Sequence, residues 1–459
     1  MNSTDSIVPH CFIGEVGVAQ LDITPPLGIY SRCWGAAKFD CASGIHREQK
    51  LTVILIKSKR DSEPLLLVNL EVPWMDEDAW RSMLDKAVHE TALQSKPERI
   101  IMNVSHNHSS APIETIESHL EGSELIQIYK TQVVNTLAEA IQMAKSKCCR
   151  AQITADTGNC NLARNRDLKI EEKGSVYCGF NPEKSADDTL LVMRITDLSN
   201  GSIMGTIVNY ACHPTTLGWD NRDLSPDYIG AMRSLVESQT QAPCCLLQGA
   251  SGELGARQGH QGDVNVADKQ GRQLAYAVLS CLEGMIEHRQ QIDFAGTIAS
   301  GADLAYWKPV ELKERLGMTK INAELVDFNL ILKDDLPTAE AYKELYLNCE
   351  DRVQKERFRR RLKGRLQLGE GPNVLQKMWK WQIGSISFLA SPFEWYSDFQ
   401  MAVRSALPNE QIIICNLSNG NGSYLVPESM YGEVLYQKDI SPFKKGCLEI
   451  SIAAAIQSF

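Results

Sequence analysis

Apolar residues along this chain gather into short continuous runs separated by polar and glycine-rich stretches. Apolar runs of roughly four to eight residues bounded by turn-forming residues read as buried strands. They occur at Val16–Ile23, Leu51–Ile56, Leu65–Val72 and Ile100–Val104. Further runs follow at Ser202–Ala211, Cys245–Leu247, Ile383–Ala390 and Gln411–Cys415. Two stretches between them instead repeat apolar residues at helical spacing. Asp76–Gln94 carries Trp80, Leu84, Ala87 and Val88, and Leu125–Lys147 carries Ile128, Val133, Leu137, Ile141 and Ala144. Leu65–Val72, Asp76–Gln94 and Ile100–Val104 together predict a βαβ unit and a parallel sheet. The whole pattern predicts an α/β fold with a mixed, largely parallel β-sheet core flanked by helices, in one domain over 1–459. Pro337–Arg365 reads as a single long polar helix within a helical elaboration at 303–372. Its basic run, Arg357-Phe-Arg-Arg-Arg-Leu-Lys363, reads as a solvated helix face.

Several strands run straight into polar residues that could carry chemistry. Ile100–Val104 is followed by His106-Asn-His108, and side chains two apart on an extended chain point to one side. Ser202–Ala211 leads to His213, Ile383–Ala390 to Glu394, and Gln411–Cys415 toward Tyr424. Two to three imidazoles, a carboxylate and a phenol make a plausible donor set for a zinc ion, on loops at strand ends. No HExxH pattern is present, which excludes a helix-borne metalloprotease site. Each residue also has a plainer reading. His213 precedes a proline and suits a structural core position, and Glu394 suits the cap of a helix starting at Trp395. Asp227 reads as a helix start or as a partner orienting an imidazole. Ser251 lacks a full Gly-x-Ser-x-Gly elbow because Glu253 takes the last place, and Cys212 faces away from its neighbour His213.

Composition narrows the field. Of 459 residues, 43% are hydrophobic and 23% charged, as in ordinary globular proteins. The net charge of -10 excludes a broad phosphate-tracking surface, so no nucleic-acid partner is expected. No apolar run approaches the ~18 residues of a membrane helix, so no membrane span is expected. The stretch Met1–His10 has neither the basic region nor the apolar run of a signal peptide. Fourteen cysteines without a CxxC read as reduced core residues, consistent with a cytoplasmic protein.

The polar segments resemble the catalytic domain of the neutral, non-lysosomal ceramidase family, zinc amidohydrolases that cleave N-acyl-sphingosine. His106-Asn-His-Ser-Ser-Ala-Pro112 is similar to the family's His-Thr-His-Ser-Gly-Pro. Asn209-Tyr-Ala-Cys-His-Pro-Thr215, Pro392-Phe-Glu394 and Tyr424-Leu-Val-Pro-Glu-Ser-Met-Tyr431 resemble its later motifs, and Gln20-Leu-Asp-Ile-Thr-Pro-Pro26 its opening one. The resemblance implies zinc ligands at His106, His213, Glu394 and Tyr424. It implies substrate-facing roles for His108 and Tyr436, and for Arg166 in Asn165-Arg-Asp-Leu168, with Arg164 as a rival. Three departures stand out: Gly252-Glu-Leu-Gly-Ala256 replaces Gly-Asp-(Val/Leu)-Ser-Pro, Phe393 replaces a glycine, and no carboxyl-terminal immunoglobulin-like domain is expected. The implied activity is hydrolysis of a C–N amide bond in an N-acyl or related small, lipid-like molecule. Non-hydrolytic metal-dependent amide chemistry, such as acyl transfer or cyclisation, and a catalytically silent binding protein are the alternatives. The oligomeric state stays open, as does the ion, zinc being weighed against manganese and iron.

Overall fold

The computed structural model describes residues 6–59, 63–93 and 96–459. The first five residues of the amino-terminal stretch, and Gln94 at the end of the helix expected from Asp76, lie outside them. At the centre is an eight-stranded sheet. Its strands are β1 (His10–Asp22), β2 (Lys50–Lys57), β3 (Leu65–Leu70) and β4 (Ile100–Val104), then β5 (Cys149–Asn159), β6 (Thr189–Asp197), β7 (Ile203–Tyr210) and β8 (Cys244–Gln248). They lie in the order β8-β7-β6-β5-β1-β2-β3-β4.

Only the two outermost pairs, β3 with β4 and β7 with β8, are parallel. The pairs between them are antiparallel, so the sheet is mixed but not the largely parallel core expected. Parallel pairing needs a crossover, and helices supply it at the two edges. Helix α1 (Glu77–Thr91) joins β3 to β4, and α3 (Tyr228–Thr240) joins β7 to β8. The inner strands are covered on both faces. Their continuous apolar runs therefore imitate parallel-sheet strands in sequence.

A second sheet lies against the first. It contains β9 (Ile321–Ile331), β10 (Asn373–Ile383), β11 (Ile386–Ala390) and β12 (Gln411–Cys415), with β11 and β12 parallel. Phe12, Ile153, Met193 and Ile195 of the large sheet share one core with Trp381, Ile383, Phe388 and Ile413 of the small one. On the large sheet's other face, α1 and α2 (Glu124–Ser146) cover one half, while α3 and α4 (Val264–Gly284) cover the other. Helices α7 (Ser397–Ala406) and α9 (Cys447–Gln457) close the outer face of the small sheet. The result is four layers: helices, sheet, sheet, helices.

The stretch expected to be a helical elaboration is part strand. Asp303–Glu311 pairs with Gln290–Ala299 as a hairpin, and β9 lies in sequence between that hairpin and the helices. The expected single helix is two, α5 (Ala339–Asn348) and α6 (Arg352–Leu368). Asp351 breaks the run by capping α6, its carboxylate accepting from Gln354 N at 2.7 Å.

Buried asparagines tie the edges of the large sheet to the small one. Asn103 at the end of β4 donates to Asn416 O at 2.6 Å and accepts from Gln248 N of β8 at 3.2 Å. Asn69 of β3 donates to Leu246 O at 2.7 Å, and Asn209 of β7 to Ile414 O at 2.7 Å. Strands far apart in sheet order, β4 and β8, are thereby fastened side by side. Among the described residues no helix is long and apolar enough to cross a membrane, and every cysteine is free.

Candidate metal centre

The chain leaves β4 through a residue with unusual backbone. His106 has φ +63, the left-handed region that residues other than glycine seldom occupy. The turn is fixed by His106 N donating to Val72 O at 3.1 Å. The ring is then held from behind, because His106 Nδ1 lies 2.9 Å from Pro73 O. His213, three residues beyond β7, is held in the same manner by Ser251 O, 2.7 Å from its Nδ1. A carbonyl oxygen only accepts, so both Nδ1 atoms carry protons and both Nε2 atoms present lone pairs.

Those lone pairs converge on one carboxylate. Glu394 Oε2 is 3.0 Å from His213 Nε2 and 3.4 Å from His106 Nε2, and all three residues are buried. Glu394 belongs to a two-residue strand, Glu394–Trp395, whose parallel register puts it directly beside Tyr424. Helix α7 starts only at Ser397, so Glu394 is not the helix cap its sequence also allowed. Tyr424 Oη approaches His213 Nε2 at 3.4 Å. Burial, reinforced by the positive charge of Arg166, pushes the His213 imidazole down to about 4. Burial opposes ionisation of Glu394, but the adjoining imidazoles outweigh it and hold the carboxyl well below its usual range. Two ring nitrogens and a carboxylate oxygen packed together in one buried cluster are a donor set that suits a divalent cation. His106, His213 and Glu394 form a triad able to hold a metal.

Of the other candidates, His108 lies with its Nε2 3.4 Å from His106 Nε2, its ring between Trp34 and Trp74. Tyr436 opens α8 (Tyr436–Ile440), and its ring centroid is 6.3 Å from that of Tyr424. Both line a cavity of about 480 Å³ together with His106, Glu394 and Tyr424. Arg166 is brought to the centre from the other side and does not line that cavity. Its Nη2 lies 2.8 Å from Gly252 O, and 3.2 Å from both His213 Nε2 and Tyr424 Oη. The rival Arg164 bonds to Ala163 O instead.

The departing loop turns out to be support for this arrangement. Glu253 O accepts from Arg166 N at 2.8 Å, and Leu254 O from His213 N at 3.0 Å. A Cβ at Gly255 would sit 3.4 Å from Arg166 Cδ, so a small residue suits the contact. The Glu253 carboxyl is buried against Ser397, and burial raises it to about 8. Ser251 is no nucleophile here: the His213 Nδ1 proton is directed at its own carbonyl, and Ser251 is fully enclosed. Cys212 points into the helix-side core, and Asp227 is a helix start, capping α3 through Tyr228 N.

Sequence reasoning missed one wall of the cavity. The basic run on α6 is a solvated face only in part: Arg357 is exposed, while the residues after it turn toward the protein. Arg359 is 5% and Arg365 7% exposed, and Arg359 pairs with Glu114 and Glu356. Arg360 lies over Trp74, 4.7 Å from the ring centroid, and Arg357, Arg361 and Arg365 all line the cavity. The four-residue spacing of these last three was the available signal.

Comparison with known proteins supplies the context. Residues 15–265, over half the chain, match the family described as neutral/alkaline non-lysosomal ceramidase, N-terminal. Among solved structures, neutral ceramidase from Pseudomonas aeruginosa aligns with a TM-score of 0.65 at 15% identity, over 97% of this chain and 74% of that one. A ceramidase complexed with C2 aligns equally well, with 75% of its chain covered. At this identity the likeness is one of fold. No curated protein matches the chain in sequence.

Proposed function

The chain belongs to the neutral/alkaline non-lysosomal ceramidase family, and on that premise we propose that it is a zinc-dependent amidohydrolase cleaving an N-acyl, lipid-like substrate. The observation that carries this reading is the convergence of two imidazole Nε2 atoms and a carboxylate oxygen in one buried cluster, with both rings held from behind by backbone carbonyls. His106, His213, Glu394 and Tyr424 would hold the ion. A zinc ion there would supply Lewis acidity and draw the pKa of a bound water toward neutrality.

The protein groups divide the remaining work. Pro73 O and Ser251 O fix the imidazole tautomers, so both Nε2 atoms are presented as ligands. Arg166 holds Tyr424 through Nη2, and its positive charge works against burial and the Glu394 carboxylate, which together keep the phenol protonated well above its usual range. That makes Arg166 a positioning residue rather than a substrate contact. His108 and Tyr436 line the cavity and present a ring nitrogen and a hydroxyl to whatever occupies it. His108 is suited to pass a proton to the leaving amine, and Tyr436 to donate to the carbonyl oxygen as charge develops there. The test is release of free amine from a panel of N-acyl-sphingosines and N-acyl amino acids. Turnover that a chelator abolishes and zinc restores is expected. Chelator-resistant turnover contradicts the metal's role, and no turnover of any member contradicts the reading as an amidohydrolase for these classes.

A further inference from the structure

The arginines on α6 are positioned as no solvated helix requires. Arg357, Arg361 and Arg365 are spaced four apart, so they form one stripe on the helix face, and all three line the cavity that contains His106 and Glu394. Like charges so spaced repel each other unless something neutralises them. The cavity's other cations are neutralised. Arg360 pairs with Glu356 and Lys363 with Glu114, each at 2.8 Å, and Lys377 with Asp327 at 2.9 Å.

The stripe is different. Among the described residues, Arg357 and Arg361 have no carboxylate within ion-pair distance. Arg361 Nε is buried without a hydrogen-bond partner, and so are Nε and Nη1 of Arg365. Arg365 is nine-tenths buried, and its one ion pair is with Glu370 through Nη2. The acidic residues around the cavity are engaged elsewhere. Asp76 caps α1 and accepts from Thr115 N, Glu77 pairs with Arg81, and Glu114 pairs with Arg359 and Lys363. Those enclosed nitrogens have almost no accessible surface, so what the cavity meets is the unpaired charge of the stripe, and an oxyanion is the ligand whose charge and planar geometry match a guanidinium. Apolar side chains of the same cavity, Leu336, Leu368 and Phe443, offer the rest of such a ligand an oily surface.

We propose that the substrate is an anionic amphiphile whose carboxylate, sulfate or phosphate lodges against Arg361 and Arg365 while its amide meets His106, His213 and Glu394. This deepens the amidohydrolase reading and rests on it for the identity of the reacting bond. It distinguishes the chain's substrate from a neutral N-acyl compound.

The test is a binding measurement that needs no turnover. The probes are ketone analogues of N-acyl amino acids, with CH2 replacing the amide NH. They carry short, medium or long spacers before the carboxylate, and each is paired with its neutral primary amide. Titration calorimetry on the purified protein is expected to show a carboxylate binding about ten- to a hundredfold tighter than its amide. Arg361→Gln and Arg365→Gln are each expected to erase most of that preference, and Arg361→Gln to leave metal content and melting temperature unchanged. Equal affinities across every pair overturn the proposal, as does a preference that survives both substitutions, since the anion then binds elsewhere. Should Arg365→Gln fail to fold, Arg361→Gln alone decides: a preference it leaves intact overturns the proposal. A preference for the anion without hydrolysis of the parent amides contradicts the hydrolase reading alone. Hydrolysis without that preference contradicts the anion site alone.

Discussion

The metal-candidate cluster and the α6 wall line one cavity and are built on opposite terms. In the cluster every reactive atom is presented by something fixed behind it. Backbone carbonyls orient both imidazoles, a short parallel strand pair seats Glu394 beside Tyr424, and Gly252 O holds Arg166. On α6, the arginines are delivered by helical spacing alone, and among the described residues Arg357 and Arg361 have no carboxylate within ion-pair distance. A site whose own groups satisfy each other from behind needs only an ion to complete it. A wall with unpaired charges needs a ligand of opposite charge. The contrast separates what holds the chemistry from what selects the substrate.

The sharpest way to break the contrast is His213→Ala. Loss of a ligand from the most enclosed position is expected to remove the metal and reduce turnover to background, whereas substitution on α6 leaves the metal in place. His108→Ala should sit between these outcomes. The metal stays, and kcat falls by about 10²–10⁴-fold, the usual contribution of a positioned acid–base group, measured by steady-state kinetics alongside zinc content. A variant of full rate removes His108 from the proton path.

Further from the chemistry, Asn103→Ala strands Gln248 N–H and leaves Asn416 O only Ser418 Oγ as a donor, and denaturant unfolding should show a loss of about 1–3 kcal/mol. No loss would mean the asparagine fastening is incidental to the meeting of β4 and β8. The effect of Glu253 is read as a pH dependence. Its folded pKa of about 8 lies above the value for an exposed carboxyl, so the folded state binds the extra proton. Stability from this group is present below about pH 4.5 and is lost as pH rises through 8, with a slope of at most about 1.4 kcal/mol per pH unit. Glu253→Gln should flatten that decline in a series of melting curves, and an unchanged slope would assign it to other groups.

How much of this could be read from the chain depends on how local the signal is. Ile100–Val104 followed by His106-Asn-His108 places strand and ligand within nine residues, and the structure keeps them together. Each apolar run singled out in the sequence overlaps a strand, although Ile383–Ala390 spans the hairpin turn between β10 and β11 rather than forming one strand. The direction of pairing was not legible, because burial on both faces erases the alternation that marks an antiparallel strand. Thr189–Asp197, a central strand, was missed for the related reason that Arg194 and Thr196 interrupt its apolar run, although the fold buries both. Asn103 and Asn209 interrupt apolar strands in sequence and are fastenings between the sheets. The α6 arginines were misread because a charged helix face has the same pattern whether it meets water or a cavity. Only the tertiary position of α6 distinguishes the two. Pro73 O and Ser251 O, being backbone atoms, leave no trace in residue identity at all.

The central claim is that His106, His213 and Glu394 hold a metal ion. Elemental mass spectrometry of the purified protein, beside His213→Ala and His108→Ala, tests it most directly. The account predicts about one zinc per chain in the wild type and in His108→Ala, and none in His213→Ala. A wild-type protein without stoichiometric metal after zinc is supplied, or a His213→Ala variant that keeps its zinc, would contradict it.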